Sequence, residues 1–334
     1  MVMIKILETI LANLQAQRDV MLVTVTSSAG SAPRGAGAHM LVGTEGALLG
    51  TIGGGRAEYE SERIAQKLLQ EQHSGSEKFI LAPNDVEDLG MICGGKIEVL
   101  FTYFTHQNVP VCTLLQQILA QMTQHRAAWL LLKTNATTTQ LGFYSRETKF
   151  IGFEVALTKI QKKPQYWQDE QTVYYVEPIS QSGKVYIFGG GHVAQALAPV
   201  LKPLDFYTVI YDNRPKFLTS EFFPTADELI VGDLEHIEEH IKLNKEDYGI
   251  VMTRGHKSDF SLEVQLLNSP IAYLGVIGSK HKTALHHRQL KAAGFTDVDL
   301  QQLTMPIGLE ITAETPAEIA ISIAAQLIQV RAQK

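Results

Sequence analysis

An apolar strand, a glycine-rich turn and a helix follow one another near the middle of the chain, and this arrangement constrains the fold most strongly. Val185–Phe188 is the strand. Gly189, Gly191 and Ala194 follow it as a G-x-G-x-x-A pattern. Glycines here permit a tight turn and the close approach of a phosphate to the helix N-terminus. Asp212 ends the next predicted strand, where an acid can bind a ribose hydroxyl. The pattern predicts a Rossmann fold; either a bound dinucleotide or helix–sheet packing alone accounts for the glycines.

The rest of the second half alternates apolar strands with helical segments, which predicts a doubly wound parallel sheet. The first half predicts strands, hairpins and a helix at 56–72. The fold class is therefore α/β: an N-terminal mixed α/β domain followed by a Rossmann-like domain with a doubly wound parallel sheet. A polar, turn-rich composition predicts a linker between them. The predicted bounds are 1–157 for the first domain, 158–182 for the linker and 183–334 for the Rossmann-like domain.

Composition and charge exclude several classes of protein. The 334 residues include 29 Lys and Arg against 35 Asp and Glu, a formal net charge of −6. This balance argues against nucleic-acid binding, which needs clustered basic residues. No apolar run reaches the roughly 18 residues of a transmembrane helix, so we expect a soluble, cytoplasmic protein with no membrane partner. Two cysteines are too few for a disulfide framework or a cysteine-based zinc site.

Two glycine clusters in the first half are candidate binding loops. Gly53, Gly54 and Gly55 precede a helix that begins near Arg56, so the loop is a candidate anion cradle. Cys93 lies among glycines close to a lysine, a setting that favours the thiolate, which is both the nucleophile and the metal ligand. Ordinary turns and a buried, inert cysteine remain the alternative interpretations.

Polar residues also follow two predicted strands of the second half, at the edge where open α/β sheets bind ligands. Arg254, His256 and Asp259 follow one strand, and Ser279 and Lys280 follow the next, so they are candidates for lining one cleft. A structural role for His256 is an equal alternative. The adjacent histidines at 286 and 287 have no metal-type spacing to a carboxylate, and we predict no metal site there. No serine lies in a nucleophile elbow, which argues against a hydrolase triad.

Taken together and in this order, seven motifs resemble the XdhC/CoxI family, the accessory proteins of xanthine dehydrogenase and related molybdenum hydroxylases. The motifs extend over nearly the whole chain: Gly30–Arg34, Gly50–Arg56, Cys93–Gly95, Phe188–Val193, Tyr273–Ser279, Pro306–Leu309 and Thr315–Ile323. One position departs from the pattern. Many members have Thr-His-x-His where this chain has Thr253-Arg-Gly-His256, so any role of the missing histidine is absent or has passed to Arg254.

The resemblance implies a function as well as a fold. It implies binding of molybdenum cofactor (as molybdopterin or its cytosine dinucleotide), support of its sulfuration by a cysteine desulfurase, and insertion into an apo-hydroxylase such as xanthine dehydrogenase. A homodimer is a further expectation. The implied cofactor-binding residues, taken with the residue analysis, are Arg34, Gly53, Gly54, Gly55, Arg56, Cys93, Gly189, Gly191, His192, Asp212, His256 and Ser279. Cys93 is also the candidate molybdenum contact, since soft sulfur suits such a metal centre.

Two other functions remain open from the residues alone. Gly189, Gly191 and Asp212 also fit an NAD(P)-dependent oxidoreductase, for which His256 is the nominal proton donor. A regulatory protein that senses NAD would use the same Rossmann domain without chemistry. The glycine and cysteine clusters of the first half favour the non-catalytic chaperone, because neither alternative needs them.

Overall fold

The computed structural model describes residues 2–30, 34–81, 95–122, 127–180 and 183–333. The chain divides into two units, Met1–Gln181 and Ser182–Lys334. Among the described helices, none is long and apolar enough to cross a membrane. Each unit has its own sheets and its own hydrophobic core.

The first unit contains three α-helices and ten strands among its described residues. They are α1 (Val2–Gln15), β1 (Val20–Gly30), β2 (His39–Gly43), β3 (Gly46–Gly50), α2 (Gly55–Glu71), β4 (Gly75–Leu81), β5 (Gly95–Phe104), α3 (Val109–Met122), β6 (Ala128–Thr134), β7 (Thr139–Ser145), β8 (Lys149–Ile151), β9 (Gln165–Asp169) and β10 (Thr172–Ser180). One antiparallel sheet has the order β3-β2-β1-β5-β4, and a second has the order β8-β7-β6-β10-β9.

Both faces of the first part of β1, residues 20–26, are buried, which explains why its side chains are mostly apolar. Met21 and Val23 pack in the core that contains α2. Val20 and Leu22 pack in the opposite core, with α1, α3 and the second sheet. Successive side chains of a strand point to opposite faces, so a strand between two layers is apolar on both faces except where a polar side chain finds a partner, as Thr24 does with His39.

The two sheets of this unit are linked by a buried polar contact. His39 of β2 lies 2.9 Å from Glu177 of β10 through its Nε2 atom and 3.0 Å from Thr24 of β1 through Nδ1. The hydroxyl of Tyr175 also donates to Glu177, at 3.1 Å. Burial, together with the neighbouring Glu177 carboxylate, raises the pKa of Tyr175 well above its usual value.

The predicted linker at 158–182 is wrong in part, because residues 165–180 form β9 and β10 of the second sheet. The N-terminal unit accordingly continues past residue 157. Aromatic residues explain the difference: Trp167 stacks on Tyr174 with ring centroids 5.1 Å apart across the β9–β10 hairpin. Cross-strand aromatic pairs stabilise a hairpin whose flanking sequence is polar.

The second unit is a Rossmann domain, as the sequence predicts. Its elements are β11 (Lys184–Phe188), α4 (His192–Leu201), β12 (Tyr207–Asp212), β13 (Glu228–Val231), β14 (Tyr248–Val251), α5 (His256–Leu267), β15 (Tyr273–Val276), α6 (Lys280–Ala292), α7 (Asp297–Leu300), β16 (Leu303–Thr304) and α8 (Pro316–Gln333). All pairings in its sheet are parallel, and the strand order is β13-β12-β11-β14-β15-β16. This is the 3-2-1-4-5-6 order of the Rossmann fold.

Helices cover both faces of this sheet. Val185 and Ile187 of β11 pack in the core that contains α4 and α8, whereas Tyr186 and Phe188 pack in the core that contains α5 and α6. From β11 the chain adds β12 and β13 on one side, and it then crosses to the other side of β11 to add β14, β15 and β16. Ligands of open α/β sheets bind at the carboxyl ends of the strands at such a switch point.

Candidate functional site

The turn between β11 and α4 lies at the switch point and is shaped for close backbone approach. Gly189 has a φ of +115°, and a Cβ there would lie 2.5 Å from the carbonyl oxygen of Met252 in the neighbouring loop. Gly191 precedes α4 without a side-chain cap, and no described heavy atom lies within 4 Å of the position its Cβ would take. His192, the first residue of the helix, is exposed. The N-terminus of α4 therefore faces open space beside the carboxyl ends of β11 and β14.

Asp212 at the end of β12 is fully engaged by the protein itself. Its Oδ1 accepts from the backbone N–H and Nε of Arg214, each at 2.9 Å. Its Oδ2 accepts from the N–H of Gly190 at 2.7 Å and from an Nη of Arg214 at 2.8 Å. Burial by itself raises its pKa, but the hydrogen bonds from Arg214 and Gly190 hold the pKa of Asp212 below its usual value. A ribose hydroxyl would have to compete with four donors for this carboxylate.

The loops after β14 and β15 are joined by a buried ion pair. Asp259 of α5 accepts from the backbone N–H of Thr253 at 3.0 Å and from its hydroxyl at 2.6 Å. The ammonium of Lys282 in α6 donates to Asp259 at 2.5 Å and to the carbonyl of Ile277 at 2.9 Å. Asp259 is 1% exposed and Lys282 is 9% exposed. The pair ties the first turns of α5 and α6 to the ends of the two strands that precede them.

A second buried pair lies beside this ion pair, deeper along the same two helices. Nδ1 of His286 lies 2.7 and 2.9 Å from the two carboxylate oxygens of Glu263. Glu263 is 0% exposed and His286 is 1% exposed, and Nε2 of His286 has no hydrogen-bond partner among the described residues. Burial raises the pKa of Glu263 to about 8, the negative charge of Asp259 adds to this effect, and Lys282 opposes it. Burial and the nearby charge of Lys282 lower the pKa of His286.

The predicted rim residues lie at the starts of α5 and α6. Arg254 and His256 are exposed, and the His256 ring centroid lies 6.1 Å from that of His286. Ser279 is the N-cap of α6, and its hydroxyl accepts from the N–H of Lys282 at 3.3 Å. Lys280 is exposed and lies 3.9 Å from Glu310. The structure thus brings the predicted residues of the two loops to one edge of the sheet.

The glycine loop of the first unit uses its N–H groups internally. Oε2 of Glu58, in the first turn of α2, accepts from the backbone of Ile52 at 2.8 Å, Gly53 at 3.2 Å and Gly54 at 3.0 Å. The Thr51 hydroxyl also donates to it. Burial raises the pKa of Glu58, but these hydrogen bonds outweigh it and lower the pKa below its usual value. A carboxylate of the chain therefore occupies the position that the sequence offers as a candidate anion cradle.

Three other predicted residues of the first unit can be placed only in part. Arg34 is exposed. Arg56 lies in the first turn of α2. Cys93 lies outside the described residues; Gly95, two residues later, starts β5 opposite Gly30 and Leu81. Their roles as cofactor-binding residues stay predictions.

Sequence reasoning gave no role to Glu58, Glu263, Lys282 and His286, the side chains that form the buried contacts described above. A local signal existed for three of them: Asp259 and Glu263 are four residues apart, as are Lys282 and His286, so each two share a helix face. The sequence prediction of no metal site at 286 and 287 noted no carboxylate nearby, whereas the structure places Glu263 against His286. Within the described ranges, no group of three or more His, Cys, Asp or Glu side chains is arranged to hold a metal ion.

Comparison with known proteins agrees with this geometry over both units. The family described as "XdhC Rossmann domain" matches residues 185–327, and the "XdhC and CoxI family" matches residues 13–79. The chain belongs to the XdhC/CoxI family. The resemblance on which the sequence analysis relied is confirmed, and so is the fold class.

Relatives of this XdhC/CoxI chain cover it almost completely. A protein of Bacillus subtilis strain 168, described as a probable subunit of xanthine dehydrogenase, is 27% identical over 96% of this chain and 96% of its own length. A crystal structure described as a xanthine dehydrogenase from Bacillus halodurans superposes with a TM-score of 0.80 at 28% identity, covering 100% of this chain and 97% of the other. The uncharacterized protein YqeB of Escherichia coli K12 is 24% identical, and the match covers 93% of this chain but 43% of YqeB.

Proposed function

We propose that this protein is an accessory factor of xanthine dehydrogenase or a related molybdenum hydroxylase. In this role it binds molybdenum cofactor as cargo, supports its sulfuration by a cysteine desulfurase, and inserts it into the apo-hydroxylase. Membership of the XdhC/CoxI family supports the link to a hydroxylase. The names of the Bacillus relatives point to the same enzyme.

The donor set of the Rossmann domain fits the phosphate-bearing part of such a cargo, and this observation carries the proposal. The open N-terminus of α4 at Gly191 offers backbone N–H groups and the positive end of the helix dipole. Arg254 and His256 are exposed at the adjacent strand ends. A phosphate or pyrophosphate, as in molybdopterin or its cytosine dinucleotide, suits this combination of donors and positive charge.

In the first unit, Cys93 is the proposed contact to the metal or to the incoming sulfur. Thiolates suit soft metal centres and sulfur transfer, and Cys93 and Cys112 are the two cysteines of the chain. Cys112 lies half-buried in α3, packed against the core. Arg34 and Arg56 supply additional positive charge in the proposal. Gly53–Gly55 can receive a phosphate only if Glu58 gives up its hydrogen bonds there.

The hydrogen bonds that Asp212 accepts within the protein argue against the alternative functions. An NAD(P)-dependent oxidoreductase or an NAD sensor would use this carboxylate to bind the ribose of the cofactor. Here the carboxylate binds Arg214 and the N–H of Gly190. The carrier function does not require a free Asp212.

The test is an anaerobic purification from a molybdate-supplied bacterial host, followed by analysis for molybdenum and fluorescent pterin derivatives. We expect near-stoichiometric pterin in the wild type, less in Cys93→Ala, and wild-type levels in the matched control Cys112→Ala. Activation of an apo-hydroxylase should follow the same order. Absence of pterin where a known carrier retains it, together with tight NAD(P) binding, would reject the proposal in favour of the dehydrogenase or sensor.

A further inference from the structure

Burying the Glu263–His286 pair costs folding free energy, which is unusual for a contact with only a structural role. Both side chains are removed from solvent, and one of the two ring nitrogens of His286 is left without a partner among the described residues. A buried polar group without a hydrogen bond costs folding free energy, so such a group calls for an explanation, of which a functional role is one. The ring of Phe260 packs edge-on against His286 with centroids 6.2 Å apart.

The charges around the pair determine whether Nε2 of His286 is a hydrogen-bond donor or an acceptor. Glu263, Asp259 and His256 face it from α5, and Lys282 and His287 face it from its own helix α6. Lys282 and Asp259 neutralise each other at 2.5 Å. Because the pKa of Glu263 is raised to about 8 and the pKa of His286 is lowered, the Glu263–His286 pair holds two protons at neutral pH, one shared between the carboxyl group and Nδ1 and one on Nε2. Nε2 is then a hydrogen-bond donor, whichever partner holds the shared proton.

The surroundings of the pair favour an anion over a cation. α5 and α6 begin directly after the adjacent parallel strands β14 and β15, so their positive ends lie at the same edge of the sheet. Exposed basic side chains follow these strand ends: Arg254, His256, Lys257, Lys280 and His281. His256, the first residue of α5, packs edge-on against the His286 ring at 6.1 Å.

We propose that the starts of α5 and α6 bind a diphosphate and that His286, held by Glu263, donates a hydrogen bond to it from Nε2. His256 is exposed and its ring lies 6.1 Å from the buried ring of His286, so in the proposal its side chain moves to admit the anion. The inference rests on the proposed function only for the identity of the complete ligand. It assigns the diphosphate of that ligand to this edge and His286 to its recognition.

The proposal predicts that diphosphate affinity falls as the pH rises. Above a pH of about 8, at which Glu263 loses its proton, the carboxylate accepts the Nδ1 proton and Nε2 becomes a bare acceptor. An acceptor opposite a phosphate oxygen repels it, and the pair has gained a negative charge. Diphosphate affinity therefore falls between about pH 7.5 and 9.5, a range in which ordinary histidines are already neutral and lysines are still charged.

The binding experiment uses the full chain and two probes, inorganic pyrophosphate and cytidine diphosphate. At pH 7.5 we expect His286→Asn to weaken both by about tenfold, since a hydrogen bond to a charged group is lost. Asparagine keeps a polar group near the Nδ1 position for Glu263, whereas His286→Gln places an amide near the Nε2 position and should bind more tightly than His286→Asn. Tighter binding of cytidine diphosphate than of pyrophosphate would identify a nucleotide as the source of the diphosphate.

The pH series uses cytidine diphosphate, because its phosphates are ionised above pH 7.5. Wild-type affinity should fall about tenfold by pH 9.5. Glu263→Gln should show a much smaller fall, because its amide donates to Nδ1 and keeps the proton on Nε2 at every pH. In ¹⁵N-histidine-labelled wild-type protein, the Nε2 resonance of His286 should shift when the probe saturates the site.

Three results would overturn the proposal: neither probe binds at millimolar concentration, the Nε2 resonance does not move at saturation, or wild type and Glu263→Gln share one pH profile. The resonance and the pH series remain informative even if the His286 variants fail to fold. Diphosphate binding at His286 by a protein that carries no pterin would keep this inference and reject the proposed cargo. The reverse combination would keep the cargo and reject the inference.

Discussion

The carboxylate of Glu58 accepts a hydrogen bond from the backbone N–H of Gly54 at 3.0 Å, four residues before it in the chain. The same oxygen also accepts from Ile52 and Gly53. Backbone that is typical of an anion cradle is therefore organised by an anion of the protein. Such a carboxylate is stabilising at a helix N-terminus and needs no external ligand.

We expect Glu58→Ala to lower the free energy of unfolding by about 1–3 kcal/mol, because several N–H groups lose a charged acceptor. The loss should shrink at low pH. The lowered pKa of Glu58 means that its contribution is present above the ordinary value of 4.5 and is lost as pH falls through the folded value. Urea unfolding at pH 7 and pH 3.5 measures both effects. Glu60→Ala, in an exposed pair with Arg63 at 3.2 Å, is the control; equal effects of the two variants would contradict the assignment.

Two glycines of the β11–α4 turn should respond differently to alanine. Gly189→Ala must adopt a φ of +115° and meet the Met252 carbonyl, so we expect a loss of about 1–3 kcal/mol in the free energy of unfolding. Gly191→Ala has a φ of −78° and open space around it, so stability should hardly change. Thermal unfolding of Gly189→Ala and Gly191→Ala measures the difference in stability. Diphosphate binding by a stable Gly191→Ala then tests whether the open end of α4 belongs to the site proposed at α5 and α6: weaker binding would extend that site to α4, and unchanged binding would confine it to α5 and α6.

Removing Lys282 alone should lower the free energy of unfolding more than removing the charges of Lys282 and Asp259 together. Lys282→Met leaves the Asp259 carboxylate buried without its counter-ion, which costs about 3–5 kcal/mol. The double variant with Asp259→Asn removes both charges and should recover part of this loss. A double-mutant cycle from denaturant unfolding measures the coupling. Additive effects of the two single changes would show that the 2.5 Å contact contributes no coupling.

The Glu263–His286 pair predicts that stability falls as pH rises from about 6.5 to about 8. The folded pair retains a proton up to the raised pKa of Glu263, about 8. In the unfolded chain, Glu263 is ionised above its ordinary pKa of 4.5 and His286 is neutral above 6.5, so the folded state binds more protons in this interval. The slope is at most about 1.4 kcal/mol per pH unit for one proton.

Glu263→Gln removes this proton, so its stability should hardly change between about pH 6.5 and 8. The measurement is the urea midpoint at pH 6.5, 7.25 and 8 for both proteins. Glu235→Gln, an exposed carboxylate that accepts from Ser261 at 2.7 Å, is the matched control and should keep the wild-type slope. A wild-type slope in Glu263→Gln would mean that Glu263 is ionised in the folded state.

Much of the architecture could be predicted from local sequence. The apolar run at β11, its glycines and the acid at the end of β12 determine a strand, a turn and a second parallel strand, because they set backbone conformation within a few residues. The aromatic hairpin at 165–180 was missed, since the apolar residues of its first strand, β9, are only half-buried and its flanking residues are polar. Its stability comes from pairs such as Trp167 and Tyr174, which are seven residues apart.

The sequence by itself predicted the Rossmann fold and the candidate loops, since glycine positions and strand periodicity are properties of the local chain, and its motifs carried the resemblance to the family. Only the tertiary structure decided which groups those loops bind. Glu58 binds Gly54, Asp212 binds Arg214, and Glu263 reaches His286 from another helix, 23 residues away. Periodicity places a side chain on a face of its helix, but helix packing decides what that face meets and so which polar atoms remain without a partner.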